Sequence, residues 1–296
     1  MSVQITTAFV NQYRSNVEHL LQQKGSRLRP FVRMEMQSAE FDYYDRIGST
    51  EANEVLTRHA DTPLNETPHD RRRVSLRDFD WADLVDRPDR IRALIDPTSP
   101  YAQAAAFALG RKMDDIIIEG ALGTAYTGKT GATSVTFPST QVVAVDDHTY
   151  DTSTGDNGLS LSKLILTREM LIAAEVDPDE EMYMAVTAKQ LSRLLETTEI
   201  TSADYNTVKA LVKGDVDTFM GFKFIRTQRL LTDANSDERI IAWAKSGILL
   251  AVGMDINVDI GPRRDKRNAT QVYASASFGA TRMEEEKVVE VLCDPT

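Results

Sequence analysis

The eight residues from Gly123 to Thr130, Gly-Thr-Ala-Tyr-Thr-Gly-Lys-Thr, match the pattern G-x-x-x-x-G-K-S/T. In that pattern backbone N–H groups cradle phosphates and the lysine reaches the terminal ones. Gly123, Gly128, Lys129 and Thr130 are therefore the candidate cofactor-binding residues, and a phosphate-loop nucleotide enzyme is the catalytic reading of this chain. Such a loop needs a buried strand before it and a helix directly after it, so that the helix N-terminus faces the phosphates. Here the run before Gly123 has helical periodicity, and the Gly131–Pro138 segment after it is rich in threonine and β-branched residues that suit no helix. An apolar strand ending in aspartate, which would hold magnesium, has no strong candidate, because Val142–Asp146 follows too closely. The segment reads as a glycine-threonine loop.

Other chemistries find less support. The histidines, His19, His59, His69 and His148, are scattered, and none has another at the spacing that puts two ligands on one helix face. The single cysteine, Cys293, permits no intrachain disulfide and no cysteine-based metal site. The acidic run Asp177, Asp179, Glu180 and Glu181 lacks the calcium-hand loop pattern and reads as a solvated helix-to-strand turn. No G-x-S-x-G nucleophile motif occurs. Glu284, Glu285 and Glu286 read as an exposed turn between strands. Arg71, Arg72 and Arg73 form the most concentrated charge, followed by the mixed run from Arg77 and Asp78 to Trp81. Three adjacent arginines suit either nucleic acid or carboxylates of a neighbouring subunit. A formal net charge of -11 disfavours a surface that is a nucleic-acid platform throughout. Arg71, Arg72, Arg73, Arg77 and Asp78 are accordingly the candidate subunit-interface residues. No catalytic residue, metal or cofactor is expected.

The elements that position these residues follow from periodicity. Val3, Phe9, Tyr13, Val17, Leu20 and Leu21 predict an amphipathic helix over 3–21, which Gly25 stops. From Pro30 to about Asp96 the pattern is extended, charged and poor in apolar residues, with turn formers at Gly48, Pro63 and Pro68. Such a segment cannot build a core alone and predicts a projecting hairpin that needs a partner surface. The Ser99–Gly123 run predicts one long helix, with Ser99 as cap, Pro100 in the first turn and an apolar stripe from Ala102 through Ile117 to Gly120. Strands and loops follow to Gly158. The 159–252 region then alternates: a helix near Leu161–Ile172, a strand Met182–Val186, a helix near Leu191–Glu196, a strand Gly221–Ile225 and a helix over Ile240–Val252. Strands near Ile256–Ile260, Gln271–Ala276 and Val288–Val291 close the chain. No segment approaches the ~20 apolar residues that span a bilayer, and Met1–Phe9 lacks a leader pattern, so a cytosolic product is expected.

Taken in this order, the Val74–Trp81 stretch running into the long helix, the Gly214–Phe222 segment, the Ala242–Ile248 segment, and Gln271-Val272-Tyr273 with Gly279-Ala280-Thr281-Arg282 resemble the tailed-bacteriophage major capsid (coat) protein family. That resemblance implies an α+β fold of the Hong Kong 97-like capsid type, with N-arm, extended loop, spine helix, peripheral domain and axial domain. It implies an N-terminal arm over 1–29, an extended loop and approach to the peripheral domain over 30–96, and the spine helix with peripheral strands over 97–158. The axial domain would cover 159–252 and the returning long strands 253–296. Many relatives carry an N-terminal scaffolding region that a protease removes, whereas the first 25 residues here read as a short arm. The implied function is self-assembly as homo-pentamers and hexamers into an icosahedral shell that encloses double-stranded DNA without sequence-specific binding. Scaffolding, portal and decoration proteins would be further partners, no membrane is involved, and the place is the virion capsid, reached through the host cytoplasm during assembly.

Overall fold

Alanine, leucine, methionine and isoleucine at three- and four-residue steps build helix α1, Thr98–Leu122, in the computed structural model. The structure describes residues 22–54, 58, 61–62, 64–86, 98–150, 155, 157–196 and 218–295. The expected helix over 3–21 and the Ser99 cap lie outside the described residues and side chains. At ~1.5 Å per residue, α1 is on the order of 37 Å long. Its buried stripe of Ala105, Leu109, Met113, Ile116 and Ile117 forms the main core with Trp243, Leu250 and Phe278.

Strands β1 (Arg33–Met36), β2 (Phe41–Ile47), β3 (His69–Ser75) and β4 (Arg77–Val85) precede that helix. After it come β5 (Ala125–Thr127), β6 (Thr133–Val135), β7 (Val142–Val143), α2 (Leu161–Ala173), β8 (Met182–Val186) and α3 (Ala188–Glu196). The remainder is β9 (Thr218–Phe219), β10 (Phe222–Arg226), β11 (Glu238–Ala244), β12 (Ile248–Arg263), β13 (Ala269–Arg282) and β14 (Val288–Cys293). Three sheets result, ordered β1-β12-β13-β4, β7-β14-β11-β8-β10-β9 and β2-β3-β5-β6. Helix α1 lies on the first sheet, and Gly120 permits the contact, since a Cβ there would stand 2.7 Å from the backbone of Ala280. The second sheet holds a separate core around Leu164, Leu171, Met184, Phe222 and Val291.

Two expectations are corrected. The Ile240–Val252 run is not a helix: it is β11, a short 3-10 turn over Lys245–Gly247, and the start of β12. Ile240 to Ala244 are all buried, so both faces of β11 are apolar and the alternation that marks a half-exposed strand is lost. The 30–96 segment is also less dependent on a partner than its composition suggests. Strand β1 pairs parallel with β12, β4 pairs antiparallel with β13, and Val74 and Val85 are buried. The described residues between Gly48 and Pro68 are exposed, Leu64 at 94%, as are Met36 and Ile47 on the strands before them.

The chain before β1 is strapped to α1 by one carboxylate. Asp114, fully buried on the helix, accepts hydrogen bonds from the backbone N–H of Arg27 at 3.0 Å and of Leu28 at 3.1 Å, and from the side chains of Gln23 and Ser26. Asp114→Ala leaves the Leu28 and Arg27 N–H groups without an acceptor, at about 1–3 kcal/mol for each buried donor. The expected result is a lower urea midpoint and rapid proteolysis within residues 22–28, read by denaturation and limited digestion.

Candidate assembly interface

Successive side chains alternate across a strand, so the three arginines of β3 cannot share one environment. Arg72 points inward with a fully buried side chain, and its Nη2 donates to Glu285 Oε1 at 2.6 Å and to the Met283 carbonyl at 3.2 Å. Arg71 points outward to Asp45, at 2.9 Å. Arg73 lies over the rings of Tyr126 and Phe41, at 4.8 and 5.2 Å, and has no carboxylate partner among the described residues. Arg77 pairs with Glu119 of α1 at 3.0 Å, and Asp78 is exposed on β4 opposite Ser277. Of the five residues marked in the sequence, Arg72 is thus engaged inside its own subunit, and Arg71, Arg73, Arg77 and Asp78 reach the surface.

Around Arg72 the structure gathers residues that sequence spacing did not bring together. Arg46 on β2 donates to Asp70 at 2.6 Å and to the Met283 carbonyl at 2.6 Å, and lies 3.5 Å from Glu285. Arg282, also fully buried, stands 3.7 Å from Glu285 and donates to the carbonyls of Ala121 and Gly123 at the end of α1. Three guanidiniums therefore share two carboxylates, and Glu285, expected on an exposed turn, is their common counterion. Partners more than 200 residues apart in sequence leave no local spacing to read, as with Arg72 and Glu285. Burial lowers the basicity of both Arg72 and Arg282, against the field of Glu285.

Asp70 fastens the hairpin to the loop after α1. Burial pushes its carboxyl up, but hydrogen bonds from Thr127 and Arg46 and the backbone at Arg71 outweigh that and hold it well below the usual carboxylate range. A depressed folded value means that this stabilisation is complete above the unfolded value of about 3.9 and is lost as pH falls below it. The stability difference between the parent and Asp70→Asn is expected to stay constant from pH 7 to about 4 and to shrink below that, in denaturant titrations across pH.

The Gly123–Thr130 segment supplies the other half of that fastening. Thr127 Oγ1 donates to Asp70 at 2.6 Å, the Gly128 N–H points to the same carboxylate at 3.4 Å, and Tyr43 donates to the Thr130 carbonyl at 3.2 Å. Helix α1 enters this segment and the β5–β6 hairpin leaves it, the reverse of a phosphate loop. Its backbone holds a carboxylate of its own chain, and Lys129 is exposed. Among the described residues no group of three potential metal ligands occurs. The Cys293 thiol is buried and pushed up to about 12 by that burial, which keeps it protonated.

Between β3, α1 and β13 lies a cleft of about 340 Å³, with Arg73, Arg77, Glu119, Tyr126 and Thr124 on its walls. It offers cations, a carboxylate and an aromatic face beside the long helix.

A family model described as phage capsid protein matches residues 5–295. The chain belongs to the phage capsid protein family. It is a major capsid protein with the Hong Kong 97-like capsid fold. Solved structures similar to it include the capsid of cyanophage P-SCSP1u, with a TM-score of 0.74 at 12% identity, over 97% of this chain and 94% of that one. The capsid of Ralstonia phage GP4 matches with a TM-score of 0.71 at 10% identity, over 97% of this chain and 96% of that one. The cyanophage Pam1 capsid matches at 0.68 and 16% identity, over 98% and 97%. No curated protein sequence matches the chain. In this capsid protein α1 is the long helix anticipated from the sequence, and no described helix is long and apolar enough to cross a membrane.

Proposed function

We propose that this capsid protein assembles as homo-pentamers and hexamers into an icosahedral shell around double-stranded DNA, that it catalyses no reaction, and that assembly takes place in the host cytoplasm. One observation carries the reading: the β2–β3 pair is closed at its root by the Gly48 N–H to Pro68 carbonyl bond, and the 30–96 segment leaves several large apolar side chains exposed, Met36 at 73%, Ile47 at 67% and Leu64 at 94%. Such side chains gain burial across a neighbour. In this account residues 1–29 form the arm, 30–96 the extended loop and its approach, and 97–158 the spine helix with peripheral strands. Residues 159–252 form the axial domain at the five- and six-fold axes, and 253–296 the returning strands. The second sheet supports this division with a core of its own, although β12 runs across position 252 and β14 returns to that sheet. Arg71, Arg73, Arg77 and Asp78 face neighbouring subunits in this reading, with Arg73 as the cation available to a neighbour's carboxylate. Scaffolding, portal and decoration proteins are its further partners. An acidic coat suits DNA packing, since a lining that bound phosphates tightly would impede movement of the duplex.

Negative-stain electron microscopy with light scattering on the purified protein tests the proposal. Shells, tubes, or pentamer and hexamer rings are expected. A uniform monomer, even when produced together with the other head proteins of its own genome, would contradict it.

A further inference from the structure

The guanidiniums of Arg46, Arg72 and Arg282 outnumber the carboxylates of Asp70 and Glu285 by one, and among the described residues no further carboxylate pairs with them. The side chains of Arg72 and Arg282 are completely shielded from solvent. A charge buried so deeply is strongly disfavoured unless it is paired or changes its protonation state. Arginine lacks the second option, because its guanidinium stays protonated in proteins.

The three cations are not equally provided for. Arg46 has Asp70 and the Met283 carbonyl, both at 2.6 Å. Arg282 donates to the carbonyls of Ala121 and Gly123 at 2.7 and 3.0 Å, and its guanidinium lies 4.9 Å from the centre of the Phe137 ring. The end of α1 and the ring face thus absorb much of the Arg282 charge. Arg72 has least. Only its Nη2 is bonded, to the Met283 carbonyl and to Glu285 Oε1, and Glu285 is shared with both other arginines.

The remaining nitrogens of Arg72, Nε and Nη1, are buried and make no hydrogen bond, and neither does Nε of Arg282, which stands 3.7 Å from Glu285. Buried side-chain donors are nearly always satisfied. Three orphaned nitrogens on two buried cations, both reaching Glu285 Oε1, therefore call for an acceptor. Every unmet group there is a donor, so a ligand that only accepts fits better than water, which brings donors of its own and no charge. The excess of one positive charge calls for a single negative one. Arg72 lies between Tyr44 of β2 and Thr127 of β5 in the sheet, beneath the turn after β13, so the ligand is small.

We infer that Arg72, with Arg282 beside it, binds a small monovalent anion of the halide class, chloride, inside the subunit. The anion completes the fastening of the β2–β3 pair to the turn after β13, so the hold on that hairpin rises with anion concentration. This concerns the single subunit and does not depend on the shell reading.

Urea unfolding tests it, with sodium chloride exchanged for sodium gluconate, an anion too bulky for a closed site, at constant ionic strength. The midpoint is expected to rise with chloride and level off, and chloride at ten times its Kd lowers the unfolding equilibrium constant about tenfold. Arg72→Met removes the excess charge and two of the orphaned nitrogens, and its midpoint is expected to be the same in both salts. Glu285→Gln enlarges the positive excess, so its response is expected to level off at lower chloride, and it decides the matter if Arg72→Met does not fold. Crystals grown in bromide are expected to show an anomalous peak in contact with Arg72. Equal midpoints in chloride and gluconate for the parent would overturn the inference. A chloride response that Arg72→Met keeps in full, an unchanged response in Glu285→Gln, or only water beside Arg72 in the bromide crystals would do the same.

Discussion

Glu285→Ala is expected to destabilise the subunit by about 3–5 kcal/mol, the cost of removing one partner from a buried ion pair. Glu285 is the shared counterion of Arg46, Arg72 and Arg282, and the side chains of Arg72 and Arg282 are fully buried. Without it, Asp70 is the one carboxylate among the described residues left in contact with the group, and it reaches Arg46 only. Arg72 already has two nitrogens, Nε and Nη1, without a partner in the structure, so it cannot compensate by turning. The expected signature is a lower urea midpoint with an unchanged slope, because the folded and unfolded surfaces stay the same. Glu285→Gln keeps a hydrogen-bond acceptor and removes the charge, so it separates the two contributions. An unchanged midpoint in both variants would mean that the cluster is hydrated and does not hold the hairpin root to the turn after β13.

Removing the loop from Ser49 to Thr67 is expected to have the opposite profile: assembly is abolished and subunit stability is retained. The strand pair β2–β3 is complete at Ile47 and His69, and the Gly48 N–H donates to the Pro68 carbonyl at 2.9 Å, so the root closes before the loop begins. A short glycine turn can bridge that point. The described residues of the loop are exposed and outside the buried core, and surface changes of this kind fall within about 0.5 kcal/mol. Denaturation checks the fold and light scattering checks assembly. Shell formation at the parent rate would show that the loop is decoration and not a clasp.

Much of this was legible in the chain, for identifiable reasons. The α1 stripe was readable because burial and periodicity agree there, and Met182–Val186 because so short an apolar run suits a strand even with both faces buried. The region Ile240–Val252 was not, because a strand buried on both faces has no alternation and resembles a buried helix. The phosphate-loop pattern was resolved by its flanks, and the structure gives those residues a different use, the holding of Asp70. The ion cluster was only half visible. Arg71 to Arg73 stood out as a run, but nothing local tells which of three adjacent arginines points inward. Glu285 looked like any other acid in Glu284–Glu286, because its partners come from β2, β3 and β13. Pairings across such separations are fixed by topology, and topology is what single-chain spacing does not encode.

The most direct test of a shell built by clasping is a cryo-EM reconstruction of assembled particles at side-chain resolution. The account predicts pentamers and hexamers in which the 49–67 loop lies on a neighbouring copy, with Arg72 and Glu285 still paired inside their own subunit. A particle in which that loop touches only its own chain, or in which Arg72 has left Glu285 for a neighbour's carboxylate, would contradict it.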